Sequence, residues 1–144
     1  MGMISSIRKF FRRKPLVVVI RLDGVIGAVS RFGSGGLDDS NTQKLLEKAF
    51  EFEKAKAIAI KINSPGGSPT QSSLIASRIL KLSEEKKIPV LCFCEDVAAS
   101  GGYWLACAGE EIYSDINSII GSIGVISASF GFSELISRYG IERR

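Results

Sequence analysis

Ala57-Ile-Ala-Ile-Lys-Ile-Asn-Ser-Pro-Gly-Gly67 is the stretch on which the fold turns. Its first six residues form an apolar run of strand length, Asn63 to Gly67 form a turn, and Thr70 to Leu82 beyond them read as a helix. The same grammar recurs on both sides. Upstream, Leu16-Val-Val-Val-Ile20 is an apolar, β-branched run expected to be a strand buried on both faces. A Gly-rich stretch around Gly33, Gly35 and Gly36 reads as a mobile loop, and Asp38-Asp39-Ser40 can cap the helix that follows it. Leu45, Leu46, Ala49 and Phe50 form the expected inner stripe of that helix, and Lys44, Glu47, Lys48 and Glu51 its wet face. Downstream, Pro89 to Cys94 is a third strand, and an Ala-rich helix opens near Ser100 and runs to about Ala108. The order β-α-β-α-β predicts one continuous α/β domain over residues 15–144, with parallel strands and right-handed crossovers. Functional loops then belong at the strands' C-terminal ends.

Composition narrows the chemistry. The chain has 144 residues, enough for one core, and contains no histidine, which excludes Ser-His-Asp and Cys-His sites and histidine-ligated metals from this chain alone. No metal or cofactor site is expected. Cys92, Cys94 and Cys107 make neither a CxxC pair nor an even disulfide set and read as buried free thiols in a reducing compartment. The net charge of +4 is concentrated in Arg8, Lys9, Arg12, Arg13 and Lys14, so the body is close to neutral and nucleic acid is not an expected partner. Within that basic arm, residues 1–14, Ile4, Ile7, Phe10 and Phe11 recur at roughly helical spacing, as in an interfacial amphipathic helix, though a solvated leader fits as well. The five-residue apolar run closed by Arg21 is far shorter than the roughly 20 residues of a membrane span, so no transmembrane segment is expected.

Two glycine-bearing turns carry the functional information. In Asn63-Ser64-Pro65-Gly66-Gly67, consecutive glycines let backbone N–H groups face a cleft, although read alone the segment is simply a good turn. In Ala98-Ala-Ser-Gly-Gly-Tyr-Trp104, small residues around Ser100 permit a sharp strand-to-helix turn that exposes its hydroxyl at the positive end of a helix dipole. Read alone, Ser100 is an ordinary N-cap. Together they are two pieces of an acyl-transfer site that lacks a base. Without histidine, a lysine of lowered pKa is the available solution. Lys61 is the one in-chain alternative, and no lysine follows Lys87. Trp104 and Tyr103 read as core or interface aromatics, and Cys107 as a core residue.

With Val19-Ile-Arg-Leu-Asp-Gly24 and Gly121-Ser-Ile-Gly-Val125, these turns make four segments whose order and spacing resemble the S49 peptidases, the signal peptide peptidase A and SohB group. The resemblance runs from about Leu16 to Arg144 and implies a ClpP/crotonase-like α/β fold and a Ser-Lys serine endopeptidase. It implies Ser100 as nucleophile, the N–H groups of Gly67 and Gly101 as the oxyanion hole, and Ser122 as the residue orienting the lysine. Asn63, Ser64 and Gly66 are implied to flank the cleft that holds extended substrate. The implied substrates are hydrophobic peptides such as signal-peptide remnants or membrane-protein segments. The implied setting is a homo-oligomer in a bacterial cytoplasm, or peripheral at the membrane through the basic arm.

One departure matters: in this family the lysine lies beyond the segment matching Tyr139-Gly-Ile-Glu142, so residues 15–144 are expected to be a C-terminally incomplete peptidase domain. Two other readings stand beside the protease. One is a non-catalytic or decayed peptidase that binds peptides or assembles with intact homologues. The other is a crotonase-like acyl-CoA enzyme, for which Glu95 and Asp96 are the acids best placed.

Overall fold

The computed structural model describes residues 15–27, 36–125 and 131–141. The basic arm and the Gly33–Gly35 part of the expected loop lie outside the described residues. Five strands, β1 (Leu16–Asp23), β2 (Ala55–Ser64), β3 (Val90–Ala99), β4 (Glu111–Ser114) and β5 (Ile119–Gly121), form a parallel sheet. The order is β1-β2-β3-β4, with β5 also paired to β3. Helices α1 (Asp39–Phe50), α2 (Pro69–Lys86) and α3 (Gly101–Ala106) follow the first three strands, and α4 (Ser133–Arg138) lies near the chain end.

Each long helix begins where its sequence permits. Asp38 caps α1, its carboxylate accepting the Asn41 N–H at 2.8 Å while the Asn41 side chain accepts the Asp38 N–H in return. Ser68 caps α2, and Pro69 sits in the first turn, where its missing N–H costs nothing. The two helices are tied together by Arg78, whose guanidinium donates to both carboxylate oxygens of Asp39 at 2.8 and 2.7 Å.

The core lies between one sheet face and these helices, and Leu22, Leu46, Ile58, Ile60, Ile62, Ile75, Ile79 and Leu105 are wholly buried in it. Three expectations are corrected. β1 is not buried on both faces: it is the sheet edge, only alternate residues meet the helices, and Val17 and Val19 are 46% and 62% exposed. Leu45 points outward, and Thr42 takes its place in the buried stripe of α1. Cys92 and Cys94 are buried, and burial pushes the Cys92 thiol up to about 12, but Cys107 is exposed just after α3.

Candidate active site

The site starts with an irregularity at the C-terminal ends of β2 and β3. Ile62 pairs with Cys94, yet Ser64 pairs with Ala98, so four residues of β3 span what two residues of β2 span. Asn63 fills the gap: its side-chain carbonyl accepts the Val97 N–H and its amide donates to Asp96, both at 3.2 Å. The half-buried Asn63 amide therefore shapes the end of β3. Sequence reasoning ended β3 at Cys94 because Glu95 and Asp96 break the apolar run, whereas the strand continues to Ala99.

Beyond β2 the chain makes a hydroxyl-closed turn. Ser64, wholly buried, donates its Oγ hydrogen to the Gly24 carbonyl at 2.6 Å and accepts the Gly66 N–H at 3.1 Å. The Ser64 hydroxyl is thus turned into the fold and away from solvent. Gly66 is buried too; a Cβ there would come within 2.7 Å of both the Ala99 carbonyl and the Gly101 nitrogen. Its part is to let the two turns touch.

Gly67 comes next in a parallel bridge to Ile26. Ile26 N–H donates to Gly66 O and Ser68 N–H donates to Ile26 O, both at 2.8 Å. In a parallel ladder the residue between two such bonds turns its own N–H to the opposite side. The Gly67 N–H consequently faces away from Ile26 and meets no acceptor among the described residues. Only glycine fits, since φ is +150° and a Cβ would overlap the Ile26 carbonyl oxygen.

Ser100 joins β3 to α3 at φ 52° and ψ −118°, a backbone conformation that costs a non-glycine residue about 1–3 kcal/mol. Its N–H donates to the Gly121 carbonyl at 2.7 Å, holding the turn against the end of β5. Ser100 occupies the N-cap position of α3 but makes no capping bond, so the ordinary N-cap reading fails and the hydroxyl is left without a partner among the described residues. The helix itself spans only six residues, so the dipole contribution expected from a longer one is small. Gly101 and Gly102 let it pack tightly: a Cβ on the first would overlap the Ser72 hydroxyl, and one on the second would press on the Ser64 backbone.

Ser100, Gly67 and Gly101 line one small pocket of about 100 Å³ with Pro69, Trp104, Ile123, Gly124 and Val125. The walls are apolar. Trp104 is 39% exposed and forms one of them, whereas Tyr103 packs against the core. Ser122 follows the Gly121 carbonyl that holds Ser100; it is exposed, at φ 55°. No titratable side chain lines the pocket. Lys61, the in-chain candidate base, is ion-paired with Glu95, and that contact together with Arg21 holds the Glu95 carboxyl below its usual range. Glu95 and Asp96 are thus engaged by Lys61, Arg21 and Asn63 and lie outside the Ser100 pocket. Among the described residues no group of His, Cys, Asp and Glu could hold a metal. No described helix is long and apolar enough to cross a membrane.

Parallel strands, crossover helices and a serine elbow against a glycine turn define an α/β domain of the ClpP/crotonase-like type. A solved mutant of the 1510-N membrane-bound stomatin-specific protease shares that fold, with TM-score 0.60 and 24% identity over 89% of this chain and 60% of that one. Residues 83–144 match the model of peptidase family S49. The chain is 36% identical over 131 residues to the chloroplastic serine protease SPPA of Arabidopsis thaliana, a match covering 88% of this chain and 19% of that protein. It is 32% identical over 127 residues to protease 4 of Haemophilus influenzae, covering 87% and 20%. It is also 50% identical over 137 residues to a Brucella melitensis protein named Na(+)/H(+) antiporter NhaA, covering 95% of this chain and 19% of that one. The chain belongs to peptidase family S49. It spans about a fifth of the length of the first curated relatives it matches.

Proposed function

We propose that the chain carries the nucleophile half of a Ser-Lys serine endopeptidase acting on hydrophobic peptides, such as signal-peptide remnants or membrane-protein segments. The observation that carries this reading is the strained backbone at Ser100, which presents an unpartnered hydroxyl in an apolar pocket beside the Gly67 and Gly101 backbone. In the proposed reaction a neutral lysine takes the Ser100 proton and Oγ bonds to the peptide carbonyl carbon. The carbonyl oxygen becomes an anion bound by the N–H groups of Gly67 and Gly101. The C–N bond then breaks, the lysine returns its proton to the leaving amine, and water hydrolyses the ester. Ser122, beside the Gly121 clamp, orients the lysine. That lysine comes from outside the described residues, since none of theirs lines the pocket.

A quenched apolar peptide incubated with the full-length gene product tests this. Cleavage is expected, with loss in Ser100→Ala; equal cleavage by the variant would refute the assignment. The reading as a peptide-binding module draws on the absence of a lysine from the pocket lining, and predicts binding without turnover in both proteins. The acyl-CoA reading is weakened by the engagement of Glu95 and Asp96 elsewhere. Self-assembly is supported by the apolar side chains left exposed in the C-terminal part, Ile119, Val125 and Tyr139 among them. The basic arm is proposed to attach the protein to a membrane surface; liposome co-sedimentation unchanged by removal of residues 1–14 would exclude this.

A further inference from the structure

We propose that Ser64 is a positioning residue for the Gly67 oxyanion donor, acting through the Gly66 N–H that precedes it and so through the backbone torsions of Gly66; this rests on the reading of Ser100 and Gly67 given above. The Ser64 hydroxyl is the point where three pieces of chain meet. It donates to the Gly24 carbonyl after β1, accepts the Gly66 N–H, and belongs to a residue whose backbone lies against Gly102 of the nucleophile helix. On the far side of the turn, the Ile26 N–H donates to the Gly66 carbonyl and the Ile26 carbonyl accepts the Ser68 N–H. The Gly66 unit is therefore held at both ends, its N–H by Ser64 and its C=O by Ile26. The Gly67 N–H shares a peptide plane with the Gly66 C=O that Ile26 holds, and Ser64 fixes the plane before it, so the torsions of Gly66 between the two are set from both sides.

Among the described residues no other group holds the Gly66 N–H. Gly66 at φ +93° and Gly67 at φ +150° have no side chains to resist rotation of the plane between them. Without the hydroxyl, the Gly66 N–H is buried with no acceptor, and rotation of the glycine pair is the route by which it finds one. Such rotation turns the Gly67 N–H away from the point where negative charge develops. Ser64 thus acts on the transition state without touching substrate, which sets it apart from an ordinary buried serine that only adds stability.

The test titrates the full chain with a peptidyl boronic acid bearing a small apolar side chain at boron, and in parallel with the peptide carboxylate of the same sequence. Ser100 Oγ adds to boron and releases its proton to buffer, giving a tetrahedral adduct with an oxygen in the oxyanion position. Trp104, the chain's only tryptophan and part of the pocket wall, reports both titrations by fluorescence. Ser64→Ala is expected to weaken the boronate by about 30-fold while changing the carboxylate by less than about two-fold. Ser64→Cys, which keeps a weak donor and acceptor of similar size, is expected to recover part of the loss and serves if Ser64→Ala does not fold. Boronate affinity retained in Ser64→Ala, or boronate and carboxylate weakened equally, overturns the proposal. Boronate binding that persists in Ser100→Ala, or is absent in the unmodified chain, overturns the active-site reading itself.

Discussion

Between Ile20 and Ala108 lie all of the buried hydrophobic side chains among the described residues, whereas from Glu111 to Ile141 no described residue is buried. Yet the pocket draws on both regions. Ser100, Gly67 and Gly101 stand on the packed part, while Ile123, Gly124 and Val125 and the Gly121 carbonyl come from the exposed part. The groups proposed to do chemistry are thus anchored in close-packed core, where backbone positions are held to fractions of an ångström. The far wall of the pocket is carried by a segment whose own apolar side chains find no cover among the described residues. Reactivity and substrate fit are, in this arrangement, separately adjustable.

The sharpest challenge to that contrast is Gly67→Ala, where the new Cβ overlaps the Ile26 carbonyl oxygen and the turn must move. Reaction of Ser100 with a fluorophosphonate is expected to slow by at least about 100-fold, the scale of one oxyanion donor. An unchanged rate would place the oxyanion site elsewhere. Next in size is a paired stability measurement: Ile79→Ala, in the core, should cost about 3 kcal/mol, and Ile119→Ala, 64% exposed, less than about 0.5 kcal/mol. Similar shifts in denaturation midpoint would erase the distinction between the regions.

Ser100→Gly should abolish acylation yet stabilise the fold by about 1 kcal/mol, because glycine relieves the positive φ that serine endures. A destabilised variant would mean the turn is not strained. The smallest effect concerns Asp39, whose carboxyl the Arg78 guanidinium holds below its usual range. A carboxyl with a lowered folded-state pKa adds stability above its unfolded value of about 4, and that stability is lost as pH falls through the lowered value. Arg78→Ala should therefore cost about 1 kcal/mol at pH 7, with the gap from the unmodified chain narrowing toward pH 2 in urea titrations. A gap independent of pH would assign the effect to packing alone.

Much of the framework was legible because apolar period and turn chemistry agree. Residues 57–62 and 70–82 fall inside β2 and α2, and Asp38 caps α1 as its position before the helical pattern suggests. Composition does not state which sheet face is covered, and for that reason the β-branched run of β1 looked doubly buried although one side is open. The end of β3 was hidden for a different reason: its ladder is completed by the Asn63 side chain, and a strand carrying Glu95 and Asp96 through a bulge has no hydropathy signature. At the site, the strained turn at Ser100 could be anticipated from the small residues around it. That Ser64 faces inward could not, because serine is equally at home in a wet cleft or a closed turn. The signal available in retrospect is its position at the end of an alternating strand, where Ile58, Ile60 and Ile62 set the inward parity that Ser64 continues.

The bond from the Ser100 N–H to the Gly121 carbonyl also has a meaning in time. Strands β1 to β4 join the sheet in the order in which a ribosome makes them, each beside its predecessor, but β5 returns to pair with β3 at Val97–Ala99. Until residue 121 has emerged, the bond from the Ser100 N–H to the Gly121 carbonyl cannot form, and that hold on the unfavourable conformation is missing. A nascent chain that already contains Ser100 carries the residue without that clamp, and translation itself delays the fixing of the turn until the far wall of its pocket is being made.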